Sequence, residues 1–140
     1  MGYLSGYPAR RISTLSGGLL GFGRIAKNVA RYMNAFGAKV YTFEPFLPES
    51  VFEEHHVIRA KTKDEIFETC DIIILNIPLM ESSFHIIDAD AISKIKDGVI
   101  IINMGRGPLV DETALIDGLK SGKIRAARSE EHTSELQSLQ

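Results

Sequence analysis

The sequence predicts an α/β fold, a doubly wound parallel sheet with helices on both faces, and three observations predict it. Short β-branched runs such as Asp71 to Leu75 and Val99 to Ile102 alternate with amphipathic segments, the pattern of a parallel sheet covered on both sides. Helix-capping residues stand where three of the helical segments should begin. A glycine-rich turn joins the first strand to the first helix.

The first strand is expected at Gly17 to Leu20. After it, Ile25, Val29, Tyr32, Met33 and Phe36 recur at helical spacing, and Gly37 supplies a stop where φ can be positive. Further strands are expected at Lys39 to Phe43, weakly around Val57 to Arg59, at Asp71 to Leu75 and at Val99 to Asn103, with a sixth beginning at Ile124. Thr62-Lys63-Asp64-Glu65 has the form of a capping box opening a short helix to Thr69. Asp88 can cap a helix through Ile95, and Asp111 one running to about Lys120. Right-handed crossovers dominate such folds, so ligands are expected beyond the carboxyl ends of the strands.

With 140 residues the chain is long enough for one domain. Its 44% hydrophobic and 24% charged residues are those of a soluble globular protein. A formal net charge of -2 holds no basic excess that would favour nucleic acid or an anionic membrane, and a small ligand is expected instead. The apolar runs fall well short of the roughly 20 residues of a membrane span. Met1 to Arg11 contains no apolar h-region, so a cytoplasmic setting is expected. Cys70 is the only cysteine, which excludes an intramolecular disulfide. With no His or basic cluster beside it in sequence, a buried small hydrophobe is expected there rather than a reactive thiol.

The last residues differ in character from the rest. Arg128 to Gln140 is polar, and residues 128–138 resemble the direct translation of a common sequencing-library adapter. The segment 128–140 is therefore set aside as a non-native tail, with 16–127 as the domain and 1–15 as a connecting segment. Without Arg128, Glu130, Glu131 and Glu135, 15 basic residues balance 15 acidic ones.

Gly21-Phe22-Gly23-Arg24-Ile25-Ala26 gives the G-x-G-x-x-G/A fingerprint between a strand and a helix, the context it requires. Gly21 permits the tight turn, Gly23 lets the backbone approach a pyrophosphate, and Ala26 keeps the helix close to the strand. The free amides at Arg24 and Ile25 then point at the phosphates with the positive end of the helix dipole behind them. Glu44 ends the second strand 21 residues after Gly23, where an acidic side chain accepts hydrogen bonds from the adenosine ribose. A carboxylate there repels a 2′-phosphate, which favours NAD over NADP. A plainer reading makes Glu44 a solvated strand-end charge before Pro45.

With this fingerprint the sequence resembles the D-isomer-specific 2-hydroxyacid dehydrogenase family, which includes glyoxylate, hydroxypyruvate and phosphoglycerate dehydrogenases and formate dehydrogenase. The resemblance is carried by Gly18 to Ile25, Phe36 to Val40, Ile77-Pro78-Leu79, Lys96-Asp97-Gly98, Ala114-Leu115, and above all by Ile102-Asn103-Met104-Gly105-Arg106-Gly107-Pro108-Leu109-Val110-Asp111-Glu112. It implies the Rossmann form of the doubly wound sheet, incomplete here at its C-terminal edge, and hydride transfer between NAD and a small D-2-hydroxy or 2-oxo acid. By the same resemblance Arg106 binds and orients the substrate carboxylate, a task suited to its fixed fork of donors. Met104 and Gly105 would lie along the nicotinamide side, with Pro78 and Leu79 as an apolar wall, and a homodimer is implied.

The sequence departs from the family in two places. Asn76 stands before Ile77-Pro78-Leu79 where many relatives have His. The family's general acid-base His and its acidic partner belong downstream of Ala127, so the chain alone is expected to show no turnover. His132 in the polar tail is not expected to replace that His. His55 and His56 beside Glu53 and Glu54 diverge too much for a metal site, and no metal site is expected. His85 receives no role. The alternative from a different class is a non-enzymatic NAD(H)-sensing module like the dehydrogenase-related corepressors, which a partner interaction responsive to NADH would distinguish.

Overall fold

The structure is a computed structural model and describes residues 10–129. Six strands form one parallel sheet in the order β3-β2-β1-β4-β5-β6: β1 Ser16–Leu20, β2 Lys39–Phe43, β3 Ile58–Arg59, β4 Ile72–Leu75, β5 Val99–Asn103 and β6 Ile124–Ser129. The order reverses between β1 and β4, and there a doubly wound sheet opens a crevice at its carboxyl ends. Helices α1 Arg24–Ala35 and α2 Glu49–Glu54 cover one face, while α3 Lys63–Thr69, α4 Ala89–Lys94 and α5 Glu112–Ser121 cover the other. Strand residues alternate between the two cores: Leu19 and Ile74 join Ala26, Ala30 and Phe52, whereas Leu20, Ile73 and Leu75 join Ile66, Phe67 and Leu115.

Every expected strand is present, the third reduced to two residues. The caps also form. Asp88 accepts from the Ala91 amide and Asp111 from those of Thr113 and Ala114. Thr62 Oγ1 accepts from the Glu65 amide at 3.2 Å, but Glu65 reaches back to the amide of Lys61, one residue before the usual capping-box partner. Gly37 takes φ +85, its amide donating to Asn34 O and that of Ala38 to Met33 O, the paired bonds of a Schellman stop.

Two expectations need correction. The face of α1 that sequence periodicity marks as apolar is largely outside: Ile25, Tyr32 and Phe36 are 51%, 58% and 64% exposed. Ala26 and Ala30 are the buried residues of α1, with Val29 and Met33 partly buried beside them, and Met33 lies over Gly17, where a Cβ would stand 2.2 Å from Met33 Cε. In addition, α2 has no counterpart among the expected helices; its six residues bury Phe52 alone, too little for a visible period.

Strand β6 runs through Arg128 and Ser129, which pair with Ile102 and Asn103, so the ladder crosses the expected domain end at Ala127. A ladder bonds through backbone groups and continues whatever side chains it carries. The remainder of that tail, His132 included, and residues 1–9 of the connecting segment lie outside the described residues.

Candidate dinucleotide and carboxylate site

Gly21 leaves β1 at φ +95, its amide donating to Phe43 O at 3.1 Å. A Cβ on Gly21 would stand 2.4 Å from both Asn76 O and Ile77 Cγ2, so the turn is pressed against the loop after β4. Gly23 differs: a Cβ there would meet only Asn76 Oδ1, at 3.9 Å, and otherwise face open space. Gly23 is also the N-cap of α1 and provides no side-chain cap. The first intrahelical bond runs from Lys27 N to Gly23 O, and an α-helix leaves the amides before it, those of Arg24 and Ile25 among them, without intrahelical partners. Such an uncapped N-terminus under an open glycine fits an anion.

Beside the glycine turn lies a cleft of about 550 Å³ at the carboxyl ends of β1 and β2. Gly21, Glu44 and Pro78 line it, together with Ile77, Phe46, Met80 and Lys61. The half-buried Glu44 thus sits with the glycine turn at one sheet edge, as a ribose-binding carboxylate requires. These features fit a nicotinamide dinucleotide: Gly21, Gly23, Arg24 and Ile25 would hold the pyrophosphate and Glu44 the ribose.

Met104, Gly105 and Arg106 follow β5 and lie outside that cleft's lining. The Met104 amide donates to Leu75 O at 2.9 Å, tying the turn to β4, and a Cβ on Gly105 would stand 2.9 Å from Ile77 O. Arg106 is exposed and caps a 3-10 turn at Gly107–Leu109. Next to it a second hollow, of about 390 Å³, is lined by Asn103, Gly107, Pro108, Phe84 and His85. The loops after β4 and β5 are bonded together by His85 N to Pro108 O, Ile87 N to Leu109 O and Asp111 N to Ile87 O.

Two buried polar residues at this edge had no expected role. Asn103, 3% exposed, donates from Nδ2 to Arg106 O and accepts at Oδ1 from the Gly105 amide, each at 2.9 Å. Ser83, 4% exposed, donates from Oγ to Pro78 O at 2.7 Å and accepts from the Met80 amide at 2.8 Å. An Asn ending a strand of Val and Ile is a faint sequence signal for such an Asx turn. Ser83 has none.

Away from the site, Cys70 is fully buried under β1, and burial above all, with Asp71 beside it, pushes its thiol up to about 12. It behaves as core. Asp71 is held below its ordinary value: burial pushes it upward, but hydrogen bonds from Lys96 and the Ser16 amide, with the charges of Lys96 and Arg10, outweigh that.

An uncapped helix N-terminus below an open glycine, and a carboxylate at the end of the next strand, define a dinucleotide-binding α/β domain. The chain belongs to the D-isomer specific 2-hydroxyacid dehydrogenases, whose NAD-binding-domain model matches residues 4–136. It is 44% identical over 110 residues to hydroxypyruvate reductase of Thermotoga maritima, covering 79% of this chain and 35% of that one. It is 39% identical over 112 residues to glyoxylate reductase 1 of Saccharomyces cerevisiae, covering 79% and 31%. D-lactate dehydrogenase of Lactobacillus jensenii, solved with NAD+, superposes with a TM-score of 0.83 at 33% identity, covering 92% of this chain and 39% of that one. The chain thus spans about a third of the length of the curated relatives it matches.

Proposed function

We propose that the chain is the cofactor half of an enzyme that moves a hydride between NAD and a small D-2-hydroxy or 2-oxo acid, with Arg106 holding the substrate carboxylate. When bound, NAD supplies or accepts the hydride. The chain's own residues bind and orient: the turn from Gly21 to Ile25 receives the pyrophosphate, Glu44 the ribose, and Pro78 the apolar side of the cofactor. Met104 and Gly105 lie on the nicotinamide side, next to Arg106. The observation that carries this reading is Gly23, an open N-cap on the helix that follows β1, beside the reversal of strand order.

The exposed stripe of Ile25, Tyr32 and Phe36 on α1 supports a homodimer, since an apolar face of this kind is stabilised by burial against a second copy. A lone thiol such as Cys70 suits a cytoplasmic setting. The function is tested by titrating the purified chain with NADH, followed by nicotinamide fluorescence, and then titrating the NADH-loaded chain with oxamate, a non-reducible 2-oxo acid analogue. Saturable NADH binding, and oxamate binding lost in Arg106→Gln, are expected. A folded chain that binds no NADH would overturn the reading.

A further inference from the structure

We infer that Asn103 is a positioning residue that sets where Arg106 presents its guanidinium, and so governs carboxylate affinity separately from cofactor affinity. The inference rests on the reading of Arg106 as the carboxylate-binding group. Asn103 is one of three buried polar residues in the described core, and it ends a strand whose other residues are Val and Ile. Burying an amide is unfavourable unless its polar atoms are bonded, and an apolar side chain would continue the core at lower cost. Both ends of this amide are bonded, and both bonds go to the same turn.

The geometry makes that turn a clamp on one residue. Arg106 O accepts from Asn103 Nδ2 at 2.9 Å and from the Leu109 amide at 3.1 Å, so its peptide is gripped from the strand side and the 3-10 side at once. The Gly105 amide is engaged by Asn103 Oδ1, and the Met104 amide by Leu75 O. Every residue from Met104 to Arg106 thus has a backbone group anchored to β4, to β5 or to the turn itself. A bidentate grip on a carboxylate tolerates little displacement of the guanidinium, and the backbone origin of the arginine is what these bonds fix. The pyrophosphate and ribose positions belong to the far side of the sheet reversal, at Gly21 to Ile25 and Glu44, and do not depend on Asn103.

Two variants test this. Asn103→Asp is nearly isosteric and keeps an acceptor for the Gly105 amide while losing the donor to Arg106 O; Asn103→Ala loses both. Oxamate affinity of the NADH-loaded chain is expected to fall about tenfold in the Asp variant and further in the Ala variant, as for a misplaced binding group. NADH affinity should fall severalfold less than oxamate affinity, because the pyrophosphate and ribose are held at Gly21 to Ile25 and Glu44 and only the nicotinamide side meets the Gly105 turn. A role in stability alone would move both affinities together with the unfolding midpoint. Oxamate affinity unchanged in either folded variant overturns the inference. Should wild type itself bind NADH but no oxamate, the Arg106 reading falls instead. The clamp is then judged by amide exchange at Gly105, which should stay slow in the Asp variant and become fast in the Ala variant; slow exchange in both overturns it. The Asp variant keeps the comparison readable if the Ala variant does not fold.

Discussion

The two halves of the ligand-facing edge are built by different means. At the end of β1 the work is done by what is missing, with no Cβ at Gly21 and Gly23 and no capping side chain on α1. At the ends of β4 and β5 it is done by buried side chains, Ser83 and Asn103, that bond to the backbone of the loops they carry. Glycine requirements follow from backbone conformation and close approach, which are local and leave a pattern in sequence. A side chain that staples its own loop leaves almost none.

Breaking the glycine half should have the largest effect. Gly21→Ala places a Cβ 2.4 Å from Asn76 O at φ +95, and should destabilise the chain by about 2–5 kcal/mol, read as a lower urea midpoint at unchanged slope. The side-chain half is weaker because each staple is a small number of bonds. Ser83→Ala leaves the Met80 amide and Pro78 O without their side-chain partner and should cost about 1–3 kcal/mol, with faster exchange at the Met80 amide.

Both halves stand on the opposite end of the sheet, where Asp71 accepts from the Ser16 amide, Lys96 and Arg10. Its carboxyl is lowered in the folded state, so its contribution is complete above the unfolded value and is lost as pH falls through the folded one. Urea midpoints measured down the acid limb should therefore fall less steeply in Asp71→Asn than in wild type. The smallest effect is expected at Thr42, buried at 0% with Oγ1 lacking a hydrogen-bond partner. Thr42→Val removes that cost, and thermal unfolding should rise or hold, within about 1 kcal/mol.

The same contrast explains what the sequence disclosed. Strands β4 and β5 were legible as runs of Ile and Val, and β2 as Val40 and Thr42 alternating with Tyr41 and Phe43, while the caps at Thr62, Asp88 and Asp111 were legible because capping chemistry is confined to a few residues. The burial of α1 was not legible. Periodicity reads the largest side chains as inward, yet the buried face of α1 centres on Ala26 and Ala30, with Val29 and Met33 partly buried beside them, and Ile25, Tyr32 and Phe36 are left outside. Gly21, Glu44 and Pro78 do share one cleft, whereas Arg106 stands apart beside the second hollow. Asn103 was visible as the last residue of a strand and as a member of the block from Ile102 to Glu112, without a role of its own; its bonds to residues two and three positions on appear only once the turn is formed.

The central claim is that Gly23 is kept open for a dinucleotide and not for the fold. The direct measurement is NADH affinity, by nicotinamide fluorescence, beside urea unfolding for wild type and Gly23→Ala. Gly23 has an extended backbone, φ -82 and ψ -164, and open space around its missing Cβ. The account predicts NADH binding weakened at least about tenfold, with stability changed by no more than about 1 kcal/mol, the scale of an N-cap substitution. Equal NADH affinity in the two proteins, or a loss of stability as large as that of Gly21→Ala, would contradict it.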